Sequence, residues 1–252
     1  MAEHQRLRVL VVDDDAMMRE LLSLLLIREG YGVDLAVSGE EALGKLQAGS
    51  SSPDLVLADL QMPGISGKAF VDAVHEQCNG LRIIAMSGNH VDKEDLGAVE
   101  DFLRKPFTIE ALNNLLANED TSPPGKNEIA SNSRILNEQV YSQLAERMNA
   151  QKLTELYALC LTDTKMRIAR MREAAHHNDQ AMYRRQAHAI KGSCGMVGAL
   201  ELESLAATLE ETQLTTASEA ALDDLLRACN RFESMLVEHK NMVQEIARRS
   251  HA

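Results

Sequence analysis

A chain of 252 residues with 45% hydrophobic and 25% charged residues has enough apolar material for two cores of ordinary domain size. Its net charge of −12 excludes the basic footprint of a nucleic-acid-binding surface. No apolar run approaches the roughly 20 residues of a membrane span, and the opening MAEHQRLRVLVVDDD lacks a signal-peptide pattern, so the expectation is a cytoplasmic protein without membrane insertion. Cys78, Cys160, Cys194 and Cys229 are scattered singletons with no CxxC, which suits free thiols in a reducing compartment.

The first half reads as alternating strand and helix. Arg6–Val12 is a short β-branched apolar run that stops at Asp13, Asp14 and Asp15. A helix over Ala16–Glu29 ends at Gly30. Val33–Val37 is a second strand, and Ser38 with Glu41 forms a capping box for a helix to about Ala48. Asp54–Ala58 is the third strand, ending at Asp59. The helix Lys68–Cys78 follows, then the strand Leu81–Met86, a weak helical segment at Asp92–Ala98 and a short strand at Asp101–Leu103. Thr108 caps a last helix to about Asn118. This alternation implies a parallel sheet covered on both faces.

In such sheets ligands bind outside the carboxyl ends of the strands, and Asp13, Asp14, Asp59, Ser87 and Lys105 fall at those ends. Carboxylates converging there repel one another unless a cation joins them, and an all-oxygen set with open positions suits Mg²⁺. Gly39-x4-Gly44-Lys45 imitates a phosphate-binding loop, but Leu46 stands where Ser or Thr would hold a metal, and the motif lies inside a predicted helix.

Residues 6–118 resemble the receiver domains of bacterial response regulators, flavodoxin-like folds with a doubly wound five-stranded parallel sheet. The resemblance implies that Asp59, in VLADLQMPG, accepts a phosphoryl group. It implies Mg²⁺ ligation by Asp14, Asp59 and the backbone carbonyl of Gln61, with Asp13 joining through water. Ser87 and Phe102 correspond to the family's switch positions, and Lys105, before a Pro106 that is usually cis, to its phosphoryl-contacting lysine. Ser87 and Lys105 are 18 positions apart, about a helical turn fewer than is usual, so the fourth helix is expected to be short or irregular.

Residues 119–133 hold the Pro, Gly and Ser of a flexible linker. Beyond them no strand is predicted. Helices are expected at Asn137–Met148, Gln151–His176, from about Asp179 through His188, Leu200–Gln213 and Ser218–Arg248, with an antiparallel four-helix bundle over 134–252. His176-His177 reads as a solvated helix end.

On the central helix, Arg184 lies four residues before His188, with Lys191 three and Gly192 four after it, so all three share its face. Gly192, Gly195 and Gly198 recur at helical spacing although glycine costs a helix about 1 kcal/mol each. Access for a bulky partner to the imidazole explains that cost, and the cations offset incoming negative charge. The segment HAIKGSCGMVGA resembles the histidine phosphotransfer (HPt) domains of phosphorelays. Together the two resemblances imply a phosphorelay protein without a nucleotide site, accepting phosphate on Asp59 and carrying it on His188. Its implied partners are a sensor or hybrid histidine kinase and response-regulator receiver domains. The competing readings are a phosphorylation-regulated binding module with a silent His188, and a kinase or phosphatase.

Charge is unevenly divided. Residues 1–120 hold 10 Lys and Arg against 21 Asp and Glu, while residues 121–252 hold 16 against 17. An acidic receiver is thereby suited to a basic patch such as that around His188.

Overall fold

The computed structural model describes residues 7–49, 52–88, 99, 101–116, 134–215 and 218–249, with side chains at 109, 116 and 239–249 excepted. It divides into two compact units, Met1–Glu128 and Ile129–Ala252. The expected linker and the weak helical segment at Asp92–Ala98 lie outside the described residues.

In the first unit, strands β1 (Arg8–Val12), β2 (Gly32–Ala36), β3 (Leu55–Asp59), β4 (Arg82–Ser87) and β5 (Asp101–Arg104) form one sheet in the order β2-β1-β3-β4-β5. All four pairings are parallel. The central strands β1, β3 and β4 are largely apolar without alternation because helices cover both faces, and every residue of β3 is buried. Helices α2 (Gly39–Gln47) and α3 (Gly67–Gln77) pack together over one face, where Phe70, Val71 and Val74 meet Leu10, Val12, Val56 and Ala58. Helix α1 (Ala16–Arg28) packs on β1 and β2. Helix α4 (Ile109–Leu116) packs on β5 and is joined to the end of α1 by Asn113 Nδ2 donating to Glu29 Oε2 at 3.2 Å.

Local signals set the helix ends. Asp15 accepts from the backbone N–H groups of Met17 and Met18 at the start of α1. Gly30, at φ +95°, ends it in a Schellman turn, with Tyr31 N–H on the Leu26 carbonyl and Gly30 N–H on that of Ile27. Ser38 Oγ caps α2 by accepting from Glu41 N–H at 3.2 Å, but the reciprocal arm differs from a capping box. Glu41 Oε2 takes the N–H of Val37, one residue before the cap. The Gly39–Lys45 segment is helical, and Lys45 pairs with Glu41 at 2.6 Å.

The second unit contains helices α5 (Glu138–Arg147), α6 (Ala150–His176), α7 (Gln180–Met196), α8 (Leu200–Glu211) and α9 (Ser218–Arg249). Helix α7 packs on α6 and α8, and α9 closes the ring against the same two. Short connections at 177–179 and 197–199 reverse the chain and make neighbours antiparallel. The core holds Leu156, Ile168, Met171, Tyr183, Ala187, Ile190, Leu202, Ala206, Leu225 and Phe232. Tyr157 donates to the Val197 carbonyl at 3.1 Å while its ring meets Phe232 edge-on and stacks on Tyr141 of α5. Cys160, Cys194 and Cys229 serve as small core groups, and burial pushes the Cys229 thiol up to about 12.

Gly198 departs from the expected series of helical glycines. It stands beyond α7 at φ +75°, with the Ala199 N–H on the Cys194 carbonyl and its own on that of Gly195, a Schellman stop. It also fits tightly under α5, because a Cβ there would lie 2.9 Å from Val140 Cβ. Only Gly192 and Gly195 lie within the helix. His177 ends α6, its Nδ1 2.9 Å from the Glu173 carbonyl, and His176 is 73% exposed near Glu219.

Candidate functional site

The strand order reverses between β1 and β3, the switch point where doubly wound sheets bind ligands. Asp13 follows β1 and Asp59 ends β3, both nearly inaccessible to solvent. Lys105, just past β5, is buried with them and donates to Asp13 Oδ2 and Asp59 Oδ2, each at 2.8 Å. The remaining carboxylate oxygens are held by backbone: Asp13 Oδ1 accepts from Asp15 N–H and Asp59 Oδ1 from Gln61 N–H, both at 2.8 Å. Asp14 is exposed at the rim, and one oxygen from each of Asp13, Asp14 and Asp59 lies within 4.8 Å of the others.

This crowding is electrostatically costly. Burial, reinforced by Asp59, raises the Asp13 carboxyl to about 6 despite Lys105. Asp14 is raised for the same reasons. Burial alone would lower the lysine, but the charges of Asp13 and Asp59 outweigh it and hold the ammonium charged. One ammonium therefore faces three carboxylates. That hard-oxygen set has capacity for a divalent cation, and the donor chemistry fits Mg²⁺.

Ser87 is fully buried at the end of β4, and its carbonyl accepts from Lys105 N–H at 2.8 Å, which ties the two strand ends together. Phe102 is half-buried on β5, paired in register with Ala85. The Lys105-Pro106 bond is cis. Sequence reading did not single out Arg19, one α1 turn beyond the acids, whose Nη1 donates to the Asp13 carbonyl at 2.6 Å.

The second site stands on the α7–α8 seam. His188 Nδ1 lies 2.7 Å from Glu210 Oε1, and Lys191 Nζ donates to Glu210 Oε2 at 2.9 Å. Burial would raise the Glu210 carboxyl, but these two bonds overcome it and hold it at about 2. An ionised carboxylate cannot donate, so the proton of this bond sits on Nδ1, and in the neutral imidazole Nε2 then carries the lone pair. Nε2 has no partner among the described residues and is not a buried atom. Gly192, the next turn along α7, is half-buried.

Arg184, expected to support His188, is tied to α8. Its Nε donates to the Glu210 backbone carbonyl at 2.9 Å, which caps the last turn of α8. Arg184 and Lys191 thus both fix Glu210, and Glu210 fixes His188. Glu210 was invisible to the spacing argument on α7. Its signal lies on α8: Leu202 and Ala206 are buried at four-residue spacing, and Glu210 occupies the next position of that stripe and is buried too.

A buried acid–lysine cluster at a flavodoxin-like switch point in one unit and a carboxylate-oriented histidine in a helical bundle in the other fit a phosphorelay signalling protein. Family comparison agrees: residues 9–117 match the response regulator receiver domain and residues 155–249 the Hpt domain, so the chain is a receiver–Hpt fusion. It is similar to the alkaline phosphatase synthesis transcriptional regulatory protein SphR of Synechococcus elongatus, 35% identical over 117 residues, 42% of this chain and 45% of that protein. Among solved structures it is similar to the chemotaxis protein CheY4 of Vibrio cholerae, with 32% identity, a TM-score of 0.41, and coverage of 45% of this chain and 98% of that one. It is also similar to TrrA of Thermotoga maritima in complex with Mg²⁺-BeF, with 36% identity, a TM-score of 0.41, and coverage of 44% and 97%. The chain spans less than half the length of SphR. No helix among the described residues is long and apolar enough to cross a membrane.

Proposed function

We propose that this phosphorelay protein accepts a phosphoryl group on Asp59 and carries one on His188, in the cytoplasm, between a sensor or hybrid histidine kinase and a response regulator. The observation that carries this reading is the Glu210–His188 bond, because it leaves Nε2 as the free nucleophile where a silent docking helix needs no oriented histidine. At the receiver, an Asp59 oxygen forms a bond to the phosphorus of a donor phosphohistidine while the P–N bond breaks, and the donor ring departs with that electron pair. Lys105 bridges Asp13 and Asp59 and offsets the negative charge gathered there. Asp13, Asp14, Asp59 and the Gln61 carbonyl would hold Mg²⁺, which supplies further charge neutralisation when bound. At the bundle, Nε2 forms the P–N bond and an aspartyl oxygen leaves with the P–O pair. The proton stays on Nδ1, and Glu210 stabilises the positive charge that develops on the ring.

Labelling with acetyl phosphate, followed by site-resolved mapping, tests the receiver step. Wild-type protein should take a base-labile label on Asp59, lost in Asp59→Asn and suppressed by EDTA. Incubation with a separate phosphorylated receiver should give an acid-labile label, lost in His188→Gln. A carboxylate label of wild-type rate in Asp59→Asn would refute the acceptor assignment, and absence of any acid-labile label would favour the binding-module reading.

A further inference from the structure

We propose that Glu40 is a positioning residue for the acidic site, a latch that holds the loop between β3 and α3 in its metal-binding shape; this rests on the Mg²⁺ reading above. The loop runs from Leu60 to Ser66 and carries Gln61, whose N–H is already spent on Asp59 Oδ1. Its start is pinned by Leu60 N–H on the Met86 carbonyl, and Met62 is buried in the α2–α3 core with Ile65 packed against it. Among the described residues, no hydrogen bond from a strand reaches the Pro63-Gly64 turn. Glu40, at the start of α2, holds it from outside: its Oε1 accepts the Ile65 N–H at 2.7 Å.

Two glycines show how closely the helix start and the loop fit. A Cβ on Gly39 would lie 2.1 Å from the Ile65 carbonyl oxygen. A Cβ on Gly64 would lie 2.3 Å from Glu40 Oε1, and Gly64 stands at φ +77°, where side chains are strained. The two acids of α2 therefore divide their work. Glu41 turns back to its own chain at Val37 and Lys45, while Glu40 reaches across to a loop 25 residues on. A carboxylate that orients the segment bearing a metal ligand acts as outer-shell partners of metal sites do, and loss of such partners typically costs 10- to 100-fold in metal affinity.

The test is calorimetric titration of the full chain with MgCl₂, in wild type, Glu40→Ala and Glu40→Gln, with thermal midpoint and Ile65 amide exchange measured alongside. Glutamine keeps an oxygen for the Ile65 N–H and removes only the charge. The expected result is a Kd about tenfold weaker in Glu40→Ala with faster Ile65 exchange, near wild-type values in Glu40→Gln, and similar thermal midpoints in all three. Gly64→Ala, which pushes the turn off Glu40, should reproduce the alanine variant's weaker binding. Equal weakening in alanine and glutamine variants would assign the effect to charge and overturn the latch. Unchanged affinity in Glu40→Ala, or loss of affinity in step with loss of stability, would overturn it as well. A wild-type chain with no Mg²⁺ affinity would refute the metal reading itself, and the latch with it.

Discussion

In the receiver unit, two carboxylates and a lysine are drawn from three different strand ends and buried together, Lys105 lying 92 positions from Asp13 and 46 from Asp59. In the Hpt unit, His188 is partly buried on a single helix, and one carboxylate from the neighbouring helix sets its orientation. On the proposed function, the difference follows from what each site must do with charge. An aspartate has to tolerate an arriving dianion, so its surroundings concentrate cationic capacity at the expense of carboxylate repulsion. A histidine carrier has to be reached from outside, and its support from Glu210 comes from one side, the neighbouring helix.

The largest effect that could break this contrast is steric. Gly192→Leu should reduce phosphotransfer at His188 by roughly 100-fold, as displacement of reacting groups by about 1 Å does, without destabilising a helix that leucine favours. Rapid-quench transfer kinetics beside circular dichroism would measure both; unchanged transfer in a folded bundle would mean that the glycine serves packing instead of access.

Next in size is the cost of the receiver's crowding. Asp13 is raised to about 6 in the folded state, so the folded state binds more protons than the unfolded one between about pH 4 and 6. Stability from this group is present at low pH and lost as pH rises through that window, on the order of 3 kcal/mol by neutral pH. Urea unfolding of wild type and Asp13→Asn at pH 4, 5, 6 and 7 should show a pH slope in the receiver transition that the variant lacks. Saturating Mg²⁺ should offset the loss at pH 7 in wild type only. Parallel pH profiles would show that Lys105 already balances the cluster.

The bundle should behave with the opposite sign and more weakly. Glu210 is depressed to about 2, so its contribution is present above the ordinary carboxylate range and is lost as pH falls from about 4.5 to 2. Partial solvent screening reduces this to about 1–2 kcal/mol. Glu210→Gln should therefore lower bundle stability by that amount at pH 7, with the difference from wild type closing in acid. The same variant should blur the preference for the Nδ1–H tautomer in ¹⁵N spectra of His188. A fixed tautomer with normal transfer would show that Glu210 is structural only.

Much of both sites was legible because it depends on local rules. Apolar runs that stop at Asp13, Asp59 and Lys105 mark strand ends whatever the rest of the chain does, and a parallel sheet brings those ends together. The 3.6-residue period placed Arg184, Lys191 and Gly192 on the face of His188. What local rules could not supply were contacts between elements distant in sequence. Nothing on α7 announces Glu210, and nothing in the sequence around Arg184 shows that its Nε donates to a carbonyl of α8. Likewise Glu40 and Glu41 are neighbours of one type, and only the fold sends one to Val37 and the other to Ile65. Gly198 fits the helical period as well as Gly192 does, yet the packing of α5 makes it a stop. Periodicity and strand-end chemistry determined where the candidate site residues lie along the chain; tertiary packing decided which carboxylate meets His188, where Arg184 and Lys191 are tied and which glycine ends a helix, because those contacts depend on distances of a few ångströms between residues the sequence holds far apart.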